Sequence, residues 1–522
     1  MCIRDRCVIA TSFTGCFGRK KSGEAFSMPI MDEPTSLDPQ IADSNSEKLV
    51  AANCYEGLVR IMADGTIGKG VATDWNISDD GLTYTFKLRN NSHWAMFSGH
   101  KAVLGENYED TFDITVKAED FKFGIERTLS EQTGSADAPL FSAVKSISTP
   151  DDFTIVFNLS YADDNFLYAL TNPGAMPCDE EFFNLTNGKY GLDAKYLLCN
   201  GPFHVSKWTE KTSVKLAKNN EYNGESSVSP SSVTFYINND DSEVADKMNS
   251  VTYDVAFLSS SQFSSIENKK DLNSVAVQNV TYSFIFNQND NNYRNKNMRL
   301  AFCRSCDTSS LFDSQSDISK ADGIVPPSCK IGGEDYRNGN AAELLSYDET
   351  LAKKNFNDAL LELGSSSVET TILCTEQYEP FVKQMVQKLQ KTLGVKFVST
   401  VKVVSESDLE AAVNDGNYSV AFYPFKAKSS FAGEIIEGFD QNNIFGYESD
   451  VLSQKIRNIK NNSGSLEGER SAVADAENYL VSEAVIMPVF YENSYFVTSK
   501  KTSGIYFYSS ADNVCFINAK KS

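Results

Sequence analysis

Between Thr83 and Arg89 the chain alternates strictly: Tyr84, Phe86 and Leu88 are apolar, while Thr83, Thr85, Lys87 and Arg89 are polar. A period of two puts the apolar set on one face and predicts a half-buried antiparallel strand. Asp79-Asp80-Gly81 marks the turn before it. Further upstream a short helix is predicted to end in Tyr55-Glu56-Gly57-Leu58-Val59, followed by a turn at Asp64-Gly65. Asp151–Leu159 alternates in the same way. Helical spacing shows in Ala118–Leu129, where Phe121, Ile125 and Leu129 fall at i, i+4 and i+8. Its first-turn acids Glu119 and Asp120 suit the helix dipole and need no further role. Val233–Ile237 and Tyr253–Leu258 read as parallel-type strands around a helix at Ser242–Asn249. Leu351–Leu363 is helical with a stop at Gly364, and Val382–Leu393 is helical ahead of a strand at Gly394–Val398. Helices that alternate with strands in this way define an α/β protein.

Length changes the picture. A chain of 522 residues exceeds the roughly 250–300 residues at which single cores stop growing, so two or more packed units are expected. The formal charge of −22 excludes a nucleic-acid partner, whose phosphates demand a basic face. No stretch matches a membrane-spanning helix of about 20 apolar residues. At the amino terminus, Arg4 and Arg6 precede the short apolar run Cys7–Phe13 and then Thr14-Gly15-Cys16. That order fits the tail of a signal peptide ending in a bacterial lipobox, with Cys16 as the lipid-attachment residue.

Candidate chemistry is sparse. Only three histidines occur, His93, His100 and His204, and neither HExxH nor GxSxG is present, so an enzyme of the cell envelope is disfavoured. Each histidine reads as a surface or capping residue. Of eleven cysteines, only Cys303-Arg304-Ser305-Cys306 has a CxxC spacing, and no second CxxC or CxxH completes a metal set. The cysteines read as small buried thiols with no metal and no cofactor, and Cys178 with Cys199 is the disulfide pair to check first.

YEGLV at 55–59, a DG turn and ATDWNISDDGLTYTFKLRNNSHW at 72–94 together resemble the peptide and nickel family of extracytoplasmic solute-binding proteins that serve ABC importers. Ala118-Glu119-Asp120-Phe121, Asn200-Gly201-Pro202-Phe203 with Trp208, Asn297–Phe302 and Val325-Pro326-Pro327 match further landmarks, and the resemblance spans about Met28 to Ile517. It implies a two-lobed, type II periplasmic-binding-protein fold of mixed sheets flanked by helices, with an extra subdomain on the first lobe and a hinge between lobes. The implied division is a signal-peptide remnant at 1–15, a first lobe from 16–44, 195–278 and 480–522, an extra subdomain at 45–194, and a second lobe at 279–479. The implied function is capture of a peptide in the cleft and delivery to a membrane permease, by a monomer tethered outside the cytoplasmic membrane. A non-peptide or anionic solute, or a peptide-signal sensor, is the alternative on the same fold.

The resemblance also points to ligand contacts. Glu33, Pro34 and Thr35 fall where relatives offer main-chain groups and a carboxylate, Tyr282 and Ser283 fall at a crossing between lobes, and Pro424, Phe425 and Lys426 fall on the opposite wall. In this register Lys428 stands where peptide binders hold the ligand's α-ammonium with an aspartate. Two like charges about 4 Å apart repel by roughly 4 kcal/mol at an effective dielectric of 20. About 1.4 kcal/mol is tenfold in affinity, so the lysine favours a peptide held without α-amino recognition, or a ligand whose anionic group faces Lys428. A slipped register would instead bring up Glu434 or Glu437.

Overall fold

The computed structural model describes residues 23–62, 66–163, 165–224, 226–306, 312, 317–426, 431–440, 443–462, 465–507 and 514–522. Cys16 and the leader, the Asp64-Gly65 turn and Lys428 lie outside the described residues.

The alternating stretch forms the strand Thr83–Leu88, with Tyr84, Phe86 and Leu88 buried as the pattern requires. It pairs antiparallel with Ala72–Ile77 on one side and Thr154–Leu159 on the other, and Val144–Asp151 completes a four-stranded sheet. The helix Ala118–Leu129 packs Phe121 and Ile125 into the same core. Upstream, the helix is Asn45–Cys54 and stops before Tyr55, whose backbone is extended; Val59–Ile61 is a strand. A full capping box at Ser44 and Glu47 starts that helix.

A second four-stranded sheet takes the order Ala25–Ile30, Ser232–Ile237, Ser213–Lys218, Phe203–Thr209, with the first pair parallel and the others antiparallel. The helix Asp241–Asn249 follows as expected, but the next strand, Val255–Ser259, does not rejoin this sheet. It pairs antiparallel with Ile486–Ser499 in the seven-stranded sheet of the other lobe, so the two strands flanking the helix are not neighbours in one sheet.

That larger sheet is organised by two long antiparallel strands, Leu272–Phe286 and Ile486–Ser499, of 15 and 14 residues. At about 3.3 Å per residue each is long enough to serve both lobes. Val277 and Phe496 join the first lobe's core, whereas Phe284, Phe286 and Phe490 join the second's. Their pairing slips between Val277 and Val280 and again between Tyr282 and Ser283, and such bulges add local twist where the lobes meet. Val420–Lys426, Val368–Cys374 and Phe397–Val403 extend the sheet on one side, and helices cover both faces. This is the two-lobed, type II periplasmic-binding-protein architecture, with its extra subdomain and hinge.

The expected Cys178–Cys199 disulfide is absent. All eight described cysteines are free, and seven are buried. Cys178 instead lies against the Arg127 guanidinium, 3.5 Å from Nη1, and the Cys199 thiol meets that of Cys54. His100 is a core residue and not a surface one, and it caps the short 3-10 turn Ser98–His100 by accepting from the Phe97 amide at 3.5 Å. It is wedged between Phe97 and Phe182 with Nε2 3.1 Å from the Leu197 carbonyl, and burial lowers its pKa to about 4. No described helix is long and apolar enough to cross a membrane.

Candidate functional site

A cavity of about 430 Å³ lies between the lobes. The first lobe supplies one wall: Lys48, Ala51 and Ala52 from the capped helix, Asp137, Pro139 and Leu140 at a 3-10 turn, and Tyr161, Asp163, Asn165, Tyr168 and Met176 beyond it. The second lobe supplies the other: Lys330, Phe431, Glu434, Glu437, Lys460 and Glu469. Phe431, Tyr161 and Tyr168 give apolar surface, and the charges are placed singly among them. A largely apolar cleft with a few polar groups is the form a small-molecule or peptide site takes.

Cross-lobe hydrogen bonds among the described residues hold the lobes together. Asn165 Nδ2 donates to Glu469 Oε1 at 2.7 Å, and Glu469 is fully buried. Lys426 Nζ, on an exposed side chain, donates to Asn45 Oδ1 at 3.1 Å. The lobes are therefore closed around the cavity.

The cavity's charges are tuned by burial. Asp137 is buried, accepts from the Gly174 amide at 3.0 Å, and sits 3.8 Å from Lys48 Nζ. Burial raises the pKa of Glu437, Lys460 opposes this, and Glu434, Asp163 and Asp440 raise it further. Asp163 is on the first lobe and Glu434 and Glu437 are on the second, so carboxylates face one another across the cleft.

The sequence-derived positions are spread more widely. Glu33 accepts from the Trp208 indole at 2.8 Å and from the Lys211 amide, within the first lobe. Pro34 is buried, and Thr35 gives its amide and hydroxyl to Glu47 Oε1 at 2.8 and 2.7 Å. Of the three, Thr35 braces the start of the helix Asn45–Cys54. Burial disfavours the Glu47 charge, but the Thr35 hydroxyl and the Asp43, Thr35 and Ser44 amides outweigh it and its pKa falls. Tyr282 stacks on Phe422 and contacts Tyr378 and Phe490 in the second lobe's core, and Ser283 is fully buried. Pro424 and Phe425 pair with Tyr282 and Thr281, and Phe425 stacks on Phe439. Of these positions Lys426 reaches the opposite lobe. Glu434 and Glu437, the slipped-register alternatives, line the cavity. Lys48, Ala51, Ala52, Asp163, Asn165 and Tyr168 escaped sequence reasoning; a run of small residues on a helix and a single short helical turn carry no periodic signal.

A two-lobed fold closed on a cleft of this kind defines a solute-binding protein. The model of bacterial extracellular solute-binding proteins, family 5, middle region, matches residues 66–445, and the chain belongs to that family. It is 24% identical over 497 residues to the dipeptide-binding protein DppE of Bacillus subtilis, covering 91% of this chain and 88% of that one. Its fold superposes on the peptide-bound OppA of Listeria monocytogenes with a TM-score of 0.74 at 21% identity, covering 96% of this chain and all of the other. AgaA from A. tumefacien R10, in complex with agropinic acid, superposes with a TM-score of 0.73 at 17% identity over 95% of this chain and 99% of its own. Members of this family are extracytoplasmic solute-binding proteins.

Proposed function

We propose that this protein captures a peptide in the cavity between its lobes and delivers it to the permease of an ABC importer. The observation that carries this reading is the closed interlobe cavity, whose walls offer carboxylates from both lobes and lysines from each. A zwitterionic ligand needs both signs. The ammonium of the ligand would face Glu434, Glu437 and Asp163, and a carboxylate would face Lys48, Lys330 or Lys460. The likeness to dipeptide- and oligopeptide-binding proteins supports the same reading.

The step is closure and release without covalent chemistry. Rotation about the two long strands would open the cleft, and a bound ligand would shift the population towards the closed form. Capture outside the cytoplasmic membrane by a monomer, tethered through lipid on Cys16, completes the reading. Lys426, which reaches the opposite lobe, and Lys428, which lies outside the described residues, remain our candidates for contacts to an anionic ligand group. A non-peptide solute is the second reading, favoured by the likeness to AgaA with its agropinic acid.

Native mass spectrometry of protein purified gently from a rich medium tests the proposal. Released peptides support it, and their amino termini report whether an α-ammonium is required. A single non-peptide compound in place of peptides refutes it in favour of the second reading.

A further inference from the structure

The CxxC pair has no role in the cleft, yet both of its residues line a separate cavity. This cavity, about 210 Å³, lies in the second lobe and is lined by Cys303, Cys306 and the thioether-bearing Met487, with Lys320 and Tyr347 at its walls. Cys303 is the penultimate residue of the helix Lys296–Arg304, and Ser305 after it keeps helical backbone angles. Residues three apart in such a turn lie on one face with Cβ atoms about 5–6 Å apart. Both cysteines thus reach the cavity from the end of one helix, while Met487 comes from the distant strand Ile486–Ser499. Both cysteines are almost wholly buried, and Cys306 Sγ donates to the Met385 carbonyl at 3.1 Å.

Two thiols and a thioether are soft donors, and soft sulfur sets select monovalent copper. Zinc prefers four nitrogen, oxygen or sulfur ligands, and among the described residues no group of three or more histidine, cysteine or carboxylate side chains converges here or elsewhere. Charge also fits. A cuprous ion between two thiolates carries a net −1, and Lys320 lines the cavity while Arg299 and Arg304 act on Cys303 electrostatically.

We propose that Cys303, Cys306 and Met487 form a binding site for a soft monovalent metal ion, cuprous copper. On binding, both S–H bonds break, two Cu–thiolate bonds and one Cu–thioether bond form, two protons leave to solvent, and no electron is transferred. Affinity then rises about 100-fold per pH unit, the signature of two protons lost together.

The test titrates the full chain with cuprous ion, under anaerobic conditions and against a chromophoric Cu(I) chelator, from pH 6 to 8. The expected result is one equivalent withdrawn from the chelator, with the 100-fold slope per pH unit. C303S and C306S should each lose at least 100-fold and M487L about tenfold, while C329S, a buried thiol elsewhere, leaves binding unchanged. X-ray absorption of the loaded wild type should show a shell of two or three sulfurs, a readout that does not depend on how the serine variants fold. Binding that survives in a folded C303S/C306S double variant, a slope near zero, or a nitrogen and oxygen shell would overturn the proposal.

Discussion

Removing the buried clasp by Asn165→Ala tests the closed state directly. Asn165 Nδ2 donates to Glu469 Oε1 across the cleft, and Glu469 is 0% exposed. A hydrogen bond to a charged partner contributes about 1.5–3 kcal/mol. Because the two residues sit on different lobes, the loss falls on the closed form alone. Ligand affinity depends on the fraction of molecules in the binding-competent form, so Kd for a peptide identified from the purified protein should rise, with about 10- to 150-fold as the upper bound. The second clasp gives the contrast. Lys426 to Asn45 is a hydrogen bond on an exposed side chain, so Lys426→Ala should cost under about 1 kcal/mol, at most fivefold. Isothermal titration measures both, and small-angle scattering of the empty protein should show a larger radius of gyration for the Asn165 variant. A Kd within twofold of wild type for Asn165→Ala, with unchanged scattering, would refute the idea that this bond holds the lobes shut.

Other outcomes follow from the buried charges. His100 is neutral in the fold with a pKa near 4 against an ordinary 6.5. The unfolded chain therefore binds a proton that the native state refuses, and stability should fall by about 3 kcal/mol as pH drops from 6.5 to 4; urea unfolding of His100→Phe should lack this loss. The Glu437 pKa is raised, so its charge opposes folding above the ordinary carboxylate range. Glu437→Gln should thus raise Tm at pH 7, lose that advantage below about pH 4.5, and weaken binding of peptides with a free ammonium. Glu477, 1% exposed, accepts from Arg337, the Tyr336 hydroxyl and the Val325 amide. Glu477→Ala should cost about 3–5 kcal/mol in urea, because it strands a buried guanidinium. Denatured, unreduced protein should expose every described cysteine to alkylation; a 2 Da deficit in intact mass would contradict the free thiols seen here.

Local signals carried much of the fold. The alternation of Thr83–Leu88, the spacing of Phe121 and Ile125, and the left-handed stop at Gly364 are properties of short stretches whose geometry is set by period and backbone freedom. Motif order, read from YEGLV through NGPF to the Pro326-Pro327 turn, was enough to indicate the family, and with it two lobes and a hinge. The sequence could not tell which sheet Val255–Ser259 would join, because that depends on Ile486–Ser499, more than 200 residues away. Nor could it tell that Cys199 would meet Cys54, or that Met487 would face the CxxC cavity. The cleft is the extreme case. Asp163, Glu434 and Glu437 come from segments with no shared period, and only closure of one lobe on the other brings their charges within reach. Helices and strands are fixed by neighbours in the chain, whereas a site between lobes is fixed by long-range packing, which leaves no period to read.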